Sequence, residues 1–130
     1  MNLSEYFERT RGVGVLATAD FSGIVDAAVY ARPHMMDENT AAFIMHHRLT
    51  YHNLQSNPHA AYLFIEEGSG YQGRRLYLTR IREERDRELI EQLRRRCPVP
   101  GQEDDDLYLV YFRVDKIRPL VGNGGQAAED

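Results

Sequence analysis

Six short runs rich in apolar residues punctuate the chain, each bounded by turn-forming residues. Residues 13–18 and 24–31 read as strands joined by the turn Asp20-Phe-Ser-Gly23, a hairpin. Residues 41–45 form a third strand after the turn Asp37-Glu-Asn-Thr40, and 59–66 a fourth. Residues 74–82 carry bulk on both faces, Leu76 and Leu78 alternating with Tyr77, Thr79 and Ile81, as a barrel strand does. The last strand, 107–116, sets Tyr108, Val110, Phe112 and Val114 on one face.

A different period marks three helices. Leu3, Tyr6, Phe7 and Thr10 recur at helical spacing before Gly12, which predicts a helix over 3–11. A second is predicted over 50–57, capped by Thr50 and closed by Asn57-Pro58, because a residue before proline is driven out of the helical region. The third, 86–97, has the stripe Leu89, Ile90, Leu93 and Cys97, with acids early and Arg94–Arg96 late, matching the helix dipole. The fold class is therefore mainly β within α+β: a six-stranded antiparallel barrel flanked by short helices. No repeat divides the chain. One domain over 1–122 and a polar tail over 123–130 are expected.

Length and charge narrow the function. At 130 residues a single core forms without cross-links, and the lone Cys97 allows no internal disulfide. The formal net charge of −4 gives nucleic acid no general attraction. No apolar run approaches the ~20 residues that span a bilayer, and the N-terminus lacks a secretory signal pattern. A soluble, cytoplasmic protein with neither nucleic-acid nor membrane partner is expected.

The densest polar cluster is His46-His47-Arg48-Leu49-Thr50, between a strand end and a helix start. The first turn of a helix offers unpaired N–H groups and partial positive charge, and a guanidinium, a hydroxyl and imidazoles arrive with them. A phosphate satisfies all of these; a capped surface helix is the plainer alternative. Arg32 closes a strand before Pro33, and one of Arg74 and Arg75 turns inward by strand alternation. The five histidines form no HExxH pattern and no cysteine pair accompanies them, so no metal site is predicted. Cys97 reads as a small core hydrophobe. The acidic run Glu103–Asp106 lacks the EF-hand spacing.

Three segments carry a family resemblance: Val29-Tyr-Ala-Arg-Pro33, residues 42–64 with the motif Asn53-Leu-Gln-Ser-Asn57-Pro58, and Gly73-Arg-Arg-Leu-Tyr-Leu-Thr79. Together they resemble the pyridoxamine 5′-phosphate oxidase-like FMN-binding split-barrel family over residues 12–122. The resemblance implies a split barrel and FMN held at the interface of two subunits. By position, Met45 and His46 resemble the strand-end phosphate contacts, and Arg48 and Thr50 those of the loop and helix start. The family often has lysine where Thr50 stands. Tyr30, Ala31 and Arg32 resemble the segment along the isoalloxazine edge, and Arg75 the side chain reaching the ring from the next strand.

A flavin-dependent oxidoreductase follows from the resemblance, with the flavin carrying the redox chemistry. True vitamin B6 oxidation is not expected, since nothing after Gly122 resembles the family's C-terminal substrate segment. The alternative is a non-catalytic binding or sensing protein for flavin, another phosphate ligand or haem. Some relatives bind haem or a deazaflavin. A homodimer is expected, because strand edges and apolar tyrosine-rich surface need cover. No residue identifies a small-molecule substrate or a general base.

Overall fold

The computed structural model of the chain describes residues 2–68, 70–96 and 107–122. Cys97, the acidic run 103–106 and the tail 123–130 lie outside the described residues. Helix α1, Leu3–Arg9, opens where the Asn2 side chain accepts the Glu5 N–H at 2.9 Å and buries Leu3, Tyr6 and Phe7. It ends at Arg9 rather than Arg11, Thr10 already being extended. Strands β1, Gly12–Ala19, and β2, Val25–Val29, form the predicted hairpin. Its turn is tied by the Asp20 carboxylate, which accepts the N–H groups of Ser22 and Ile24, while Gly23 takes φ 85°, a conformation that favours glycine.

All six predicted strands are present, and a seventh is added. That strand is β3, His34–Asp37, a four-residue edge paired to β4, Thr40–His46. Its brevity and the irregularity between Met35 and Asp37 hid its period. Helix α2, Leu49–Ser56, then leads through Asn57-Pro58 to β5, His59–Glu66, and β6, Gly73–Glu84. Helix α3, Arg87–Arg96, is capped by Asp86, whose carboxylate accepts the Leu89 N–H at 3.1 Å. Strand β7, Leu107–Pro119, completes an antiparallel sheet of order β2-β1-β5-β6-β7-β4-β3. Two register shifts between β6 and β7 bend these long strands. No ladder joins β2 to β3 among the described residues, so the barrel is split.

The sheet has a core on its inner face, built on Leu16, Phe43, Met45, Tyr62, Phe64 and Phe112 and closed by α1 and α2. A second, smaller core lies under α3, where Ile90 and Leu93 pack on Ala42, Ile44 and Leu109. Strand β4 is therefore buried on both faces, which is why 41–45 is continuously apolar. No described helix is long and apolar enough to cross a membrane.

The Asn-Leu-x-x-Asn-Pro motif fixes the orientation of α2. Buried Asn53 donates to the Thr18 hydroxyl of β1 at 3.1 Å, and Leu54 is fully buried in the inner core. The Asn57 side chain accepts the His59 N–H at 3.1 Å, turning the chain into β5. Arg80 donates to the Leu54 carbonyl, satisfying one of the acceptors left open at the end of the helix. Anchored at this end, α2 directs its other end at the start of β1 and the end of β2.

Candidate functional site

Strand β4 ends at His46, and two residues later α2 begins. Arg48 occupies the N-cap position in an extended conformation, with no side chain accepting from the first turn. The cap is thus two residues earlier than the sequence predicts, and Thr50 lies inside the helix. The first helical bond runs from the His52 N–H to the Arg48 carbonyl, so the amides of Leu49, Thr50 and Tyr51 have no intrahelical acceptor. Their partial positive charge faces a cavity of about 630 Å³, within the ~300–1,000 Å³ typical of small-molecule sites.

Five of the eight site residues expected from sequence meet at that cavity: Tyr30, Ala31, His46, Arg48 and Thr50. His46 is 6% exposed, and its Nε2 is a buried side-chain polar atom with no hydrogen-bond partner. A buried imidazole nitrogen left without a partner costs on the order of 1–3 kcal/mol, so a group satisfying it is strongly favoured. The Arg48 guanidinium makes no hydrogen bond or ion pair among the described residues. Burial raises the Tyr30 hydroxyl above its ordinary pKa; the nearby Thr50 hydroxyl and Arg48 charge draw it partly back, and Asp26 raises it further.

The other three expected residues stand elsewhere. Met45 is fully buried in the inner core, since strand alternation turns it away when His46 faces the cavity. Arg32 donates to the Phe7 carbonyl at 2.6 Å and the Thr10 carbonyl at 3.0 Å. It caps the end of α1 and lines a separate cavity with Pro33, His34 and Met35. Arg75 donates to the carbonyls of Pro119 and Gly122 and ties β6 to the end of β7. The imidazoles of the cluster also part company: His47 packs edge-on against Tyr51 and Tyr108, which stack at 4.3 Å.

Sequence reading missed Asp26 and Gly14. Asp26, Ala28 and Tyr30 share the cavity face of β2, a period-two signal present in the sequence. Gly14 admits no side chain, because a Cβ there would sit 1.9 Å from the Tyr62 hydroxyl and 2.7 Å from the Tyr30 carbonyl. That hydroxyl donates to the same carbonyl at 3.1 Å, and the Tyr30 N–H donates to the Gly14 carbonyl at 3.0 Å. Glycine therefore lets the segment after β2 lie close against β1 and form the cavity wall.

No protein-family model and no curated protein matches the sequence. Solved structures do match the fold. An FMN-binding protein from Syntrophomonas wolfei subsp. wolfei aligns with a TM-score of 0.75 at 18% identity, over 92% of this chain and 84% of that one. An F420 reductase aligns with a TM-score of 0.71 at 19% identity, over 87% of this chain and 94% of that one. A Clostridium acetobutylicum protein of the pyridoxinephosphate oxidase family, related to general stress protein 26 of Bacillus subtilis, gives 0.63 at 16% identity, over 89% and 84%. The sheet order and helices described above are thus those of a split barrel, the fold the sequence resemblance implies.

Proposed function

We propose that the chain is an FMN-binding flavoprotein of the oxidoreductase type, its phosphate site formed by His46, Arg48 and the opening amides of α2. One observation carries this reading. The buried His46 Nε2 has no partner, beside a helix start whose cap supplies no acceptor. A phosphate monoester offers oxygens to the imidazole, the guanidinium and the amides together. The fold's likeness to FMN-binding and F420-linked proteins supports a flavin-type ligand, and Tyr30 and Ala31 border the room left for its ring system.

The flavin supplies the electron transfer; the protein's part is to hold the phosphate and position the ring. A second copy of the chain completes the site in this proposal. The outer face of β1, β2 and β5 carries Val13, Val25, Val29 and Ile65 at 55%, 78%, 76% and 38% exposure. The register sets Val29 beside Val15 and Val15 beside Leu63, which makes the patch continuous. Arg75, opposite Leu63 on β6, belongs to the same face. Light scattering at micromolar concentration should give twice the chain mass, and a monomer counts against this arrangement.

The test of the ligand is direct. Protein incubated with excess FMN and desalted should retain flavin absorbance, and Arg48→Ala should weaken binding about 10-fold or more through loss of a charge-assisted contact. Colourless desalted protein, or unchanged affinity in the variant, refutes the proposal. Steady-state reduction by NADH or NADPH then distinguishes an oxidoreductase from a protein that only holds flavin.

A further inference from the structure

Asp26 is the sole carboxylate among the cavity's lining residues, and nothing in the phosphate site accounts for it. It stands on β2 opposite Thr18 of β1, half-buried, on the strand face it shares with Ala28 and Tyr30. Its carboxylate makes no hydrogen bond or ion pair among the described residues. Arg48 lines the same cavity and is also unengaged, yet the two do not pair. The cavity thus presents donors at the start of α2 and a single charged acceptor on the strand. Asp26 is close enough to the Tyr30 phenol to influence it.

A bare phosphate ion gains from the donors but is repelled by the carboxylate. A phosphate monoester with O–H or N–H groups on its body gains from both. We propose that Asp26 is a specificity-determining residue, accepting an O–H or N–H donor from the body of the phosphate ligand while disfavouring small anions that offer phosphate alone. This rests on the flavin reading above, and FMN has the required chemistry in its ribityl hydroxyls and ring imide.

The experiment measures dissociation constants for FMN, by quenching of flavin fluorescence, and for inorganic phosphate, by competition. Wild type, Asp26→Ala and Asp26→Asn are compared. Asp26→Ala should weaken FMN about 10–100-fold, the span expected for one hydrogen bond to a charged group. It should tighten inorganic phosphate by about 3-fold or more, because a like charge is gone. Asp26→Asn should tighten inorganic phosphate similarly but lose less FMN affinity, since its side-chain oxygen still accepts.

Opposite signs for the two ligands are the signature, because a general loosening of the cavity weakens both. FMN affinity within 3-fold of wild type in both variants, or FMN and phosphate moving together, overturns the role of Asp26 and leaves the flavin reading standing. Wild-type protein that takes inorganic phosphate but no FMN overturns both.

Discussion

Replacing His46 with leucine separates the energetics of the empty protein from those of the ligand complex. In the free chain the buried Nε2 is unsatisfied, a state that costs on the order of 1–3 kcal/mol. Leucine fills a similar volume at the end of β4 and carries no polar atom. The ligand-free variant should therefore be as stable as wild type or up to about 2 kcal/mol more stable, after allowance for imperfect repacking. Most substitutions at a residue only 6% exposed go the other way.

With FMN present the order reverses. A ligand that binds only the folded state adds about 2.7 kcal/mol when its concentration is 100 times the dissociation constant. Losing one hydrogen bond to a charged phosphate removes about 1.5–3 kcal/mol of affinity. The same FMN concentration then adds only about 0.3–1.3 kcal/mol to the variant. Urea unfolding followed by tyrosine fluorescence, with and without FMN, measures both increments by linear extrapolation. A ligand-free variant destabilised by about 2 kcal/mol shows that the imidazole was already satisfied. An FMN increment still near 2.7 kcal/mol shows that His46 does not touch the phosphate. Either outcome refutes the reasoning.

Gly14→Ala should cost about 2–4 kcal/mol in urea unfolding, since the added methyl collides with the Tyr62 hydroxyl and disrupts its bond to Tyr30, combining overpacking with a lost hydrogen bond. FMN binding should fall with it, because the same collision displaces the cavity wall. Asn53→Ala should cost about 1–3 kcal/mol by stranding the buried Thr18 hydroxyl, and the loss should shrink when Thr18→Val is added, a coupling read from a double-mutant cycle. Burial and the hydrogen bond to Glu66 at 2.6 Å hold the Tyr6 phenol up to about 12, above the ordinary value near 10. Its neutral form therefore contributes stability that is fully present below pH 10 and is lost as pH rises through about 12. Tyrosinate absorbance near 295 nm should show a late-ionising component that Tyr6→Phe reduces by one tyrosine, the rest coming from Tyr30, Tyr51 and Tyr111, which burial also raises.

What the sequence showed and what it hid follow from the range of each interaction. Strand periods and the α3 stripe are local, so six strands and three helices were readable before any contact was known. Edge strand β3 spans only His34–Asp37 and is irregular within that length, too short for alternation to stand out. The candidate phosphate site was legible because its parts are contiguous: His46, Arg48 and the start of α2 lie within five residues. Arg32 and Arg75 show the opposite case. Their guanidinium groups are engaged by carbonyls of residues 22 to 47 positions away, and no local pattern reports that engagement. Resemblance identified the segments, while the acceptors of each arginine depended on tertiary structure.

The charge balance of the cavity bears on which ligand it would select. Arg48 supplies the one fixed positive charge in the lining and Asp26 the one negative charge, and these two formal charges cancel. Where the resembled family often carries lysine, Thr50 is 4% exposed and beside the Tyr30 phenol, and so adds a hydroxyl rather than a charge. A dianionic phosphate is therefore not drawn in by net charge. In the proposed complex it would be held by donors whose positions the fold sets: α2 is pinned at its far end by Asn53 and Leu54, and β4 is clamped between two cores. Fixed dipoles and an exposed guanidinium lining the cavity favour the group that fits them, whereas a strongly positive cavity would accept many anions. In the proposed complex the motif residues remote from the ligand would consequently govern recognition as much as those that touch it.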